Sequence, residues 1–400
     1  VCGTFAVALA AGDLDGDGID DLAIGDQYYD GTAGRVLVVF GAADAPAVWR
    51  ENFATANAEL TIIGDQADAM AGHELAIGDL DGDGIGDLII GAFSAGDRGP
   101  AGTVYIYRGG DRLRGAGVWH IDEEKPDKTI VTGQIADDFS GRMLTADVDG
   151  DGIDELIASA REAQGTPGNM TGKVFVLHGE ASFFVQGLRN LATTPAAWTV
   201  VGGTANGTLG ESLAFGALSA DRAAMLWLGD TNASPLQRQN AGAVVGLIPP
   251  ALDEPTTTTV GVDPVEVTII GAEAYVGLGS AVAAARDAKG DGTLWLGQAN
   301  ASSNGLAGNG EALALNAQQI DVGGGVVDLA ETTPRFVLAG ERDGDCLGNA
   351  IFVADLDDSG SDDVAVAAWY ARHNQREDAG KVYLFADPFF APADDDTTDD

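Results

Sequence analysis

Aspartates at Asp13, Asp15, Asp17 and Asp21, with Gly16 and Gly18 between them, carry the densest chemistry in the chain. A carboxylate at every second position puts three side chains on one side of a tight loop, and the glycines let the backbone fold back through positive φ. Hard oxygen ligands on a flexible loop suit calcium better than a transition metal. The EF-hand also opens D-x-D-x-D-G, but it needs a Glu at the twelfth position and flanking helices. Counting twelve from the first Asp reaches Ile24 here, and Ile90, Ala158 and Val366 in three further copies, none of which can ligate a metal. In each copy the last acid falls at the ninth position and a short apolar run follows, such as Leu22-Ala23-Ile24. That is a strand signal rather than a helix signal. The stretch is therefore read as a nine-residue calcium loop joining two β-strands.

The elements that must position these loops recur with them. Six copies begin at Asp13, Asp79, Asp147, Ala217, Ala285 and Asp355, spaced 66–70 residues apart. Regular self-similarity at this scale means stacked or ringed units. Each unit has a short apolar strand entering the loop (74–77, 143–146, 212–215, 281–284, 350–353) and a strand leaving it (88–90, 156–158, 226–228). An alternating strand after a small-Gly dipeptide comes third (35–40, 103–107, 173–177, 243–247, 381–385), and a strand ending in Gly comes fourth (60–64, 129–133, 198–202, 267–271, 335–340). Four short antiparallel strands per repeat describe a propeller blade. A β-sandwich array is the other option, but each repeat is too short to bury both faces of a sandwich by itself. Inserts at 42–58, 109–128, 179–197, 249–266 and 316–334 separate the third and fourth strands and are the expected seat of specificity. Within them, 181–191 has room for one or two helical turns, and Thr256–Thr259 reads as an exposed polar tract.

Composition limits the function. With 21 basic and 62 acidic residues the net charge is −41, which argues against nucleic acid and anionic membrane surfaces and fits a chain that holds divalent cations. Glycine is abundant at 57 and aromatics sparse at 7%, so the core is built from small residues. No run of 18 apolar residues occurs to span a membrane. The start at Val1 without a signal peptide is expected of a processed chain, a fragment or an engineered piece.

These loops and strands resemble the FG-GAP repeat, the blade of the integrin α-subunit β-propeller. The resemblance runs from about Phe5 to Ala386 on four copies of D-x-D-G-D-G-x-x-D/E or a close variant. The Phe-Gly dipeptide stands here as Phe139-Ser140-Gly141, Leu209-Gly210, Leu347-Gly348 or Ala71-Gly72, and the Gly-Ala-Pro as Gly91-Ala92-Phe93. The resemblance implies an all-β propeller, and the six repeats present make it one of six four-stranded blades over 1–386, the last incomplete, followed by an acidic Pro/Asp-rich tail at 387–400. A seventh blade outside this chain is the alternative. It also implies about four calcium ions, held at loop positions one, three, five and nine and by the carbonyl of seven. The ligands would be Asp13, Asp15, Asp17, Ile19 and Asp21 in loop one, and Asp79, Asp81, Asp83, Ile85 and Asp87 in loop two. Loop three would use Asp147, Asp149, Asp151, Ile153 and Glu155, and loop six Asp355, Asp357, Ser359, Ser361 and Asp363. The neutral Ser359 makes loop six the weakest expected site. Repeats four and five have lost the set: Met225 stands at position nine of repeat four, and in repeat five Lys289 either puts its ammonium where calcium would sit, neutralising Asp287, or is a solvated lysine on a loop.

Catalytic constellations are missing from the sequence. His73, His120, His178 and His373 are scattered singly, and no nucleophile elbow, P-loop or zinc motif occurs. The chain is read as a non-enzymatic, secreted or cell-surface adhesion or assembly module that meets a protein partner through its inserts, with calcium structural. There is no Arg-Gly-Asp tripeptide. A lectin-like, glycan-binding propeller is the alternative, with Trp49, Trp119 and Trp198 as stacking candidates, and a polysaccharide-acting enzyme comes third. Cys2 and Cys346 precede equivalent strands of repeats one and six, so they either clasp a six-bladed ring by a disulfide or remain separate thiols.

Overall fold

The computed structural model describes residues 8–43, 58–93, 102–115, 117–132, 139, 141–166, 169–320, 323, 325–357, 359–372 and 379–386. Over these residues the chain is an all-β propeller of six blade sheets, with helical geometry confined to single turns. It divides into two compact units, 1–205 with 250–260 and 206–249 with 261–400. The first holds blades one to three and the second blades four to six. The proposed tail at 387–400, Trp49, His373 and Cys2 lie outside the described residues, and Cys346 has no disulfide partner among the described ones.

Blade one runs Ala8–Gly12, Asp21–Asp26, Arg35–Val39 and Leu60–Ile63, each strand antiparallel to the last. The calcium-type loop is the connection between its first two strands. Blade two repeats the order with Ala71–Gly78, Asp87–Ala92, Thr103–Tyr107 and Lys128–Val131. Central strands are covered on both faces, so they read as continuous apolar runs rather than clean alternation. Strand Asp87–Ala92 is buried throughout, and its side chains still alternate in destination. Leu88 and Ile90 pack with blade one around Leu60 and Ile62, whereas Ile89 packs with blade three around Leu156 and Phe175. In the second unit, Leu294 and Leu296 join Trp227 of blade four, while the intervening Trp295 joins Val364 and Val366 of blade six.

The blades are not uniformly four-stranded, which corrects the sequence expectation. Among the described residues blades one to four have five strands each, blade five has four and blade six three. The fifth strand comes each time from the insert of the following repeat and lies parallel to the fourth strand: Gly117–His120 on Leu60–Ile63, and Leu188–Asn190 on Lys128–Val131. Thr256–Thr259 likewise lies on Trp198–Val201, and Gly325–Asp328 on Val267–Ile270. An unpaired outer strand exposes a row of N–H and C=O groups; the insert covers that row. Thr256–Thr259 is thus a paired strand and not a loose polar tract, and 188–190 is extended rather than helical. Trp198 is buried under this strand and donates Nε1–H to Thr258 Oγ1 (3.0 Å), so it is no platform for a sugar.

Three glycine pairs, Gly25–Gly72, Gly229–Gly279 and Gly297–Gly348, set the closeness of neighbouring blades. Gly72 and Gly348 take φ +84° and +83°, where a side chain is strained, and their carbonyls sit against Gly25 and Gly297 of the preceding blade. A Cβ on Gly297 overlaps the Gly348 carbonyl, and backbone cannot yield as a side-chain end can. Gly297→Ala is expected to destabilise the protein by roughly 1–3 kcal/mol, read as a lowered thermal midpoint. Gly115→Ala meets nothing within 4 Å and should shift stability by no more than about 0.5 kcal/mol. Equal melting of the two variants would contradict this account of blade spacing.

Candidate metal centre

Each loop folds around its own first carboxylate. In loop one, Asp13 accepts the N–H of Gly16 (2.7 Å) and Asp17 (3.2 Å) at Oδ1 and of Gly18 (2.8 Å) at Oδ2. Loop two repeats this with Gly82, Asp83 and Gly84 on Asp79, loop three with Gly150 and Gly152 on Asp147, and loop six with Ser359 and Gly360 on Asp355. Gly16 and Gly18 sit at φ +81° and +83°, which turns these amides inward. Burial works against the charged form of Asp13, but the N–H groups of Gly18, Gly16 and Asp17 outweigh it and hold its pKa below the usual value.

The ninth position is the second anchor. Asp21 is buried and accepts Leu14 N–H at Oδ2 (2.8 Å) and Gly41 N–H at Oδ1 (2.7 Å). Asp87 does the same with Leu80 and Gly109, Glu155 with Val148 and Gly179, and Asp363 takes Leu356 N–H. Burial raises Asp87 to about 7 and Glu155 to about 7, against the pull of these amide donors. Asp87 and Glu155 are therefore costly anions.

Position five is exposed in loops one, two, three and six, whereas position three is exposed in loops three and six and buried in loops one and two. Asp13, Asp15 and Asp17 offer oxygens within 4.8 Å of one another, as do Asp79, Asp81 and Asp87, Asp147, Asp149 and Asp151, and Asp355, Asp357 and Asp363. The structure thus brings together twelve of the residues named from sequence. Asp83 and Asp21 stay in their loops outside these tightest groups, and Glu155 groups instead with Asp149 and His178. At position seven, the N–H of Ile19, Ile85 and Ile153 donates to the carboxylate at five, and Ser361 N–H to Ser359 Oγ. The donor set is all oxygen apart from His178, and it fits a hard divalent cation. One orphan atom tests that fit: Asp81 Oδ1 is buried and has no hydrogen-bond partner. A buried carboxylate oxygen left so is costly, and a cation in the loop would satisfy it.

Repeats four and five depart as their sequences require. Met225 is buried at position nine of repeat four. In repeat five Asp287 Oδ1 accepts the backbone N–H of Lys289 (2.8 Å) and Asp291 (2.9 Å), and the Lys289 ammonium forms no ion pair among the described residues. The expected ammonium-for-calcium exchange is thus corrected: two amides already satisfy the Asp287 oxygen that faces the turn.

Three side chains at the loops were missed in the sequence. Arg114 reaches loop one, Nε to Asp15 Oδ2 (2.6 Å) and Nη2 to Asp17 Oδ2 (3.0 Å). Arg108 reaches loop two, Nε to Asp81 Oδ2 (2.6 Å) and Nη2 to Asp83 Oδ2 (2.9 Å). His178 Nε2 lies 3.3 Å from Asp149 Oδ2 in loop three. Arg108 and His178 each follow the last residue of a third strand, opposite position nine in the strand register. That shared offset was the available signal.

A family model described as the FG-GAP repeat matches residues 5–39 and 71–107, the first two repeats up to their third strands. Residues 5–39 and 71–107 are thus FG-GAP repeats, set within an all-β propeller. Repeats three and six carry the same loop construction outside the matched residues. The chain is 28% identical over 410 residues to a phosphatidylinositol-glycan-specific phospholipase D of Rattus norvegicus, covering 94% of this chain and 45% of that one. It is 28% identical over 261 residues to the protein of that name from Homo sapiens, covering 61% and 29%. Integrin alpha pat-2 of Caenorhabditis briggsae is 30% identical over 176 residues, covering 38% of this chain and 13% of the relative. The chain spans less than half the length of these relatives. The matched repeats correspond to a non-catalytic propeller rather than to an enzyme active site.

Asp87 and Glu155 hold a proton more tightly folded than unfolded. They favour the ion-free fold below their ordinary values of 3.8 and 4.5, and that contribution is lost as pH rises through about 7. Thermal melts in chelator should therefore fall across this window, and fall less steeply in Asp87→Asn. An identical slope in the variant would mean that Asp87 is not the buried anion described.

Proposed function

We propose that this propeller is a calcium-stabilised interaction module, working in adhesion or assembly outside the cell, with about four structural ions. In this reading 1–386 is the propeller and 387–400 an acidic tail. Loops one, two, three and six ligate calcium through the residues at positions one, three, five and nine and the carbonyl at seven, as set out from the sequence. The observation that carries it is the fourfold recurrence of one loop construction, with the Asp81 oxygen buried and unpartnered.

Clustered carboxylates repel one another, and a cation removes the repulsion and pins the turn between two strands. Binding to the folded state alone adds RT ln(1 + [Ca]/Kd), roughly 1.5–3 kcal/mol per site at ten- to a hundred-fold excess. Extracellular-type sites work at such concentrations. Among the described residues no helix is long and apolar enough to cross a membrane.

A second reading has its own support. The rat phospholipase D match covers 94% of this chain, so the module also suits a larger protein acting on phosphatidylinositol-glycan, in which the propeller serves as an accessory part that meets glycan or protein. The net charge of −41 argues against its docking on an anionic lipid surface by itself.

Chelator-stripped protein titrated with calcium should take up about four ions, and Asp79→Ala should take up one fewer. Surfaces coated with the calcium-loaded chain should support cell attachment that chelator abolishes. Uptake of ions without attachment, joined by retention of glycosylphosphatidylinositol-bearing vesicles, would favour the second reading. No uptake would remove calcium from both.

A further inference from the structure

The cations seated on the loops come from the chain itself. Arg114 belongs to the insert of repeat two, yet it spans two carboxylates of the blade-one loop, Asp15 and Asp17. Arg108, at the end of its own third strand, spans the corresponding pair in loop two, Asp81 and Asp83. Both forks address positions three and five, and both use Nε and Nη2. The carboxylates at position three are nearly closed to solvent, at 2% and 4% side-chain exposure, while each arginine keeps 48% of its own. A guanidinium fork matched to two carboxylates is a strong, oriented contact. It takes oxygens that a cation in the loop needs and cancels part of the charge that draws the cation in. Loop six differs: Asp355 and Asp357 meet no side-chain cation among the described residues.

We propose that Arg114 and Arg108 are affinity-setting residues, built-in competitors for the cation of loops one and two. Each guanidinium neutralises part of the charge of the two carboxylates it spans. A calcium ion would compete with the fork for the two oxygens it covers, so occupancy at these loops is weaker than their carboxylate count implies. Loop one gains a further consequence. Gly110 N–H donates to Leu14 O (2.8 Å), and Gly117–His120 is the fifth strand of blade one, so the segment bearing Arg114 is held on both sides of it. Calcium at loop one therefore changes the tether of an insert, not only the loop. This inference rests on the calcium reading of the loops.

The test is calorimetric calcium titration of the whole chain as wild type, Arg114→Gln, Arg108→Gln and Arg112→Gln. Arg112 pairs with Asp127 and approaches Glu124 rather than any loop acid, so its loss makes the same change in net charge without freeing a ligand. Removing either fork should tighten one class of site roughly three- to tenfold, with Arg112→Gln within about twofold of wild type. Unchanged or weakened binding in both Arg114→Gln and Arg108→Gln overturns the proposal while leaving the calcium sites standing. An equal gain in Arg112→Gln also overturns it, because general charge then explains the effect. A wild type that binds no calcium removes the calcium reading and the competition together.

Discussion

The loops of repeats one, two, three and six depend on two carboxylates, at positions one and nine, that accept backbone amides around the hairpin turn. The acid at position one gathers the loop amides, and the acid at position nine ties the loop entry to the neighbouring third-strand end, as Asp21 does with Leu14 and Gly41. Without these anchors the glycines at φ +81° and +83° would have no reason to hold their turn. The loops are also joined in series. Gly86 N–H donates to Asp13 O, Asp154 N–H to Asp79 O, and Asp362 N–H to Arg286 O, each at 2.8 Å. Ile85 packs over Gly16 and Ile153 over Gly82, so each loop of the first unit leans on the next.

The rest of the blade follows from closeness and cover. Adjacent residues of a central strand serve opposite neighbours, which is why Ile89 and Ile90 are both buried yet belong to different cores. Glycine at Gly25 and Gly297 lets backbones meet where side chains would hold them apart. The inserts then cover the outer edge as a fifth strand. An acidic surface of net charge −41 keeps such a β-rich body from self-pairing, but it raises the electrostatic cost of every loop carboxylate.

The loops and the repeat were legible because their chemistry is local: nine consecutive residues state the loop, and 66–70 residues separate the copies. Third strands such as Thr103–Tyr107 were legible for the same reason, a short apolar run bounded by glycine. The fifth strands were not. Leu188–Asn190 has three residues and no alternation, and Thr256–Thr259 is four threonines, whose β-branched propensity was outweighed by their polarity. What makes them strands is an edge some 60 residues away, seen in the pairing of Trp198 with Thr256. Arg114 was invisible for a like reason, being 99 residues from Asp15. Lys289 misled because a cation in the right register looked like a replacement, when the carboxylate had already been satisfied by amides.

The most direct test is a crystal structure of the full chain grown in millimolar calcium, with the ions identified by anomalous scattering. The account predicts ions in loops one, two, three and six, with carboxylate and carbonyl oxygens at about 2.3–2.6 Å, and none in repeats four and five. Loops holding only water at that calcium concentration, with Asp81 Oδ1 still unpartnered, would contradict it.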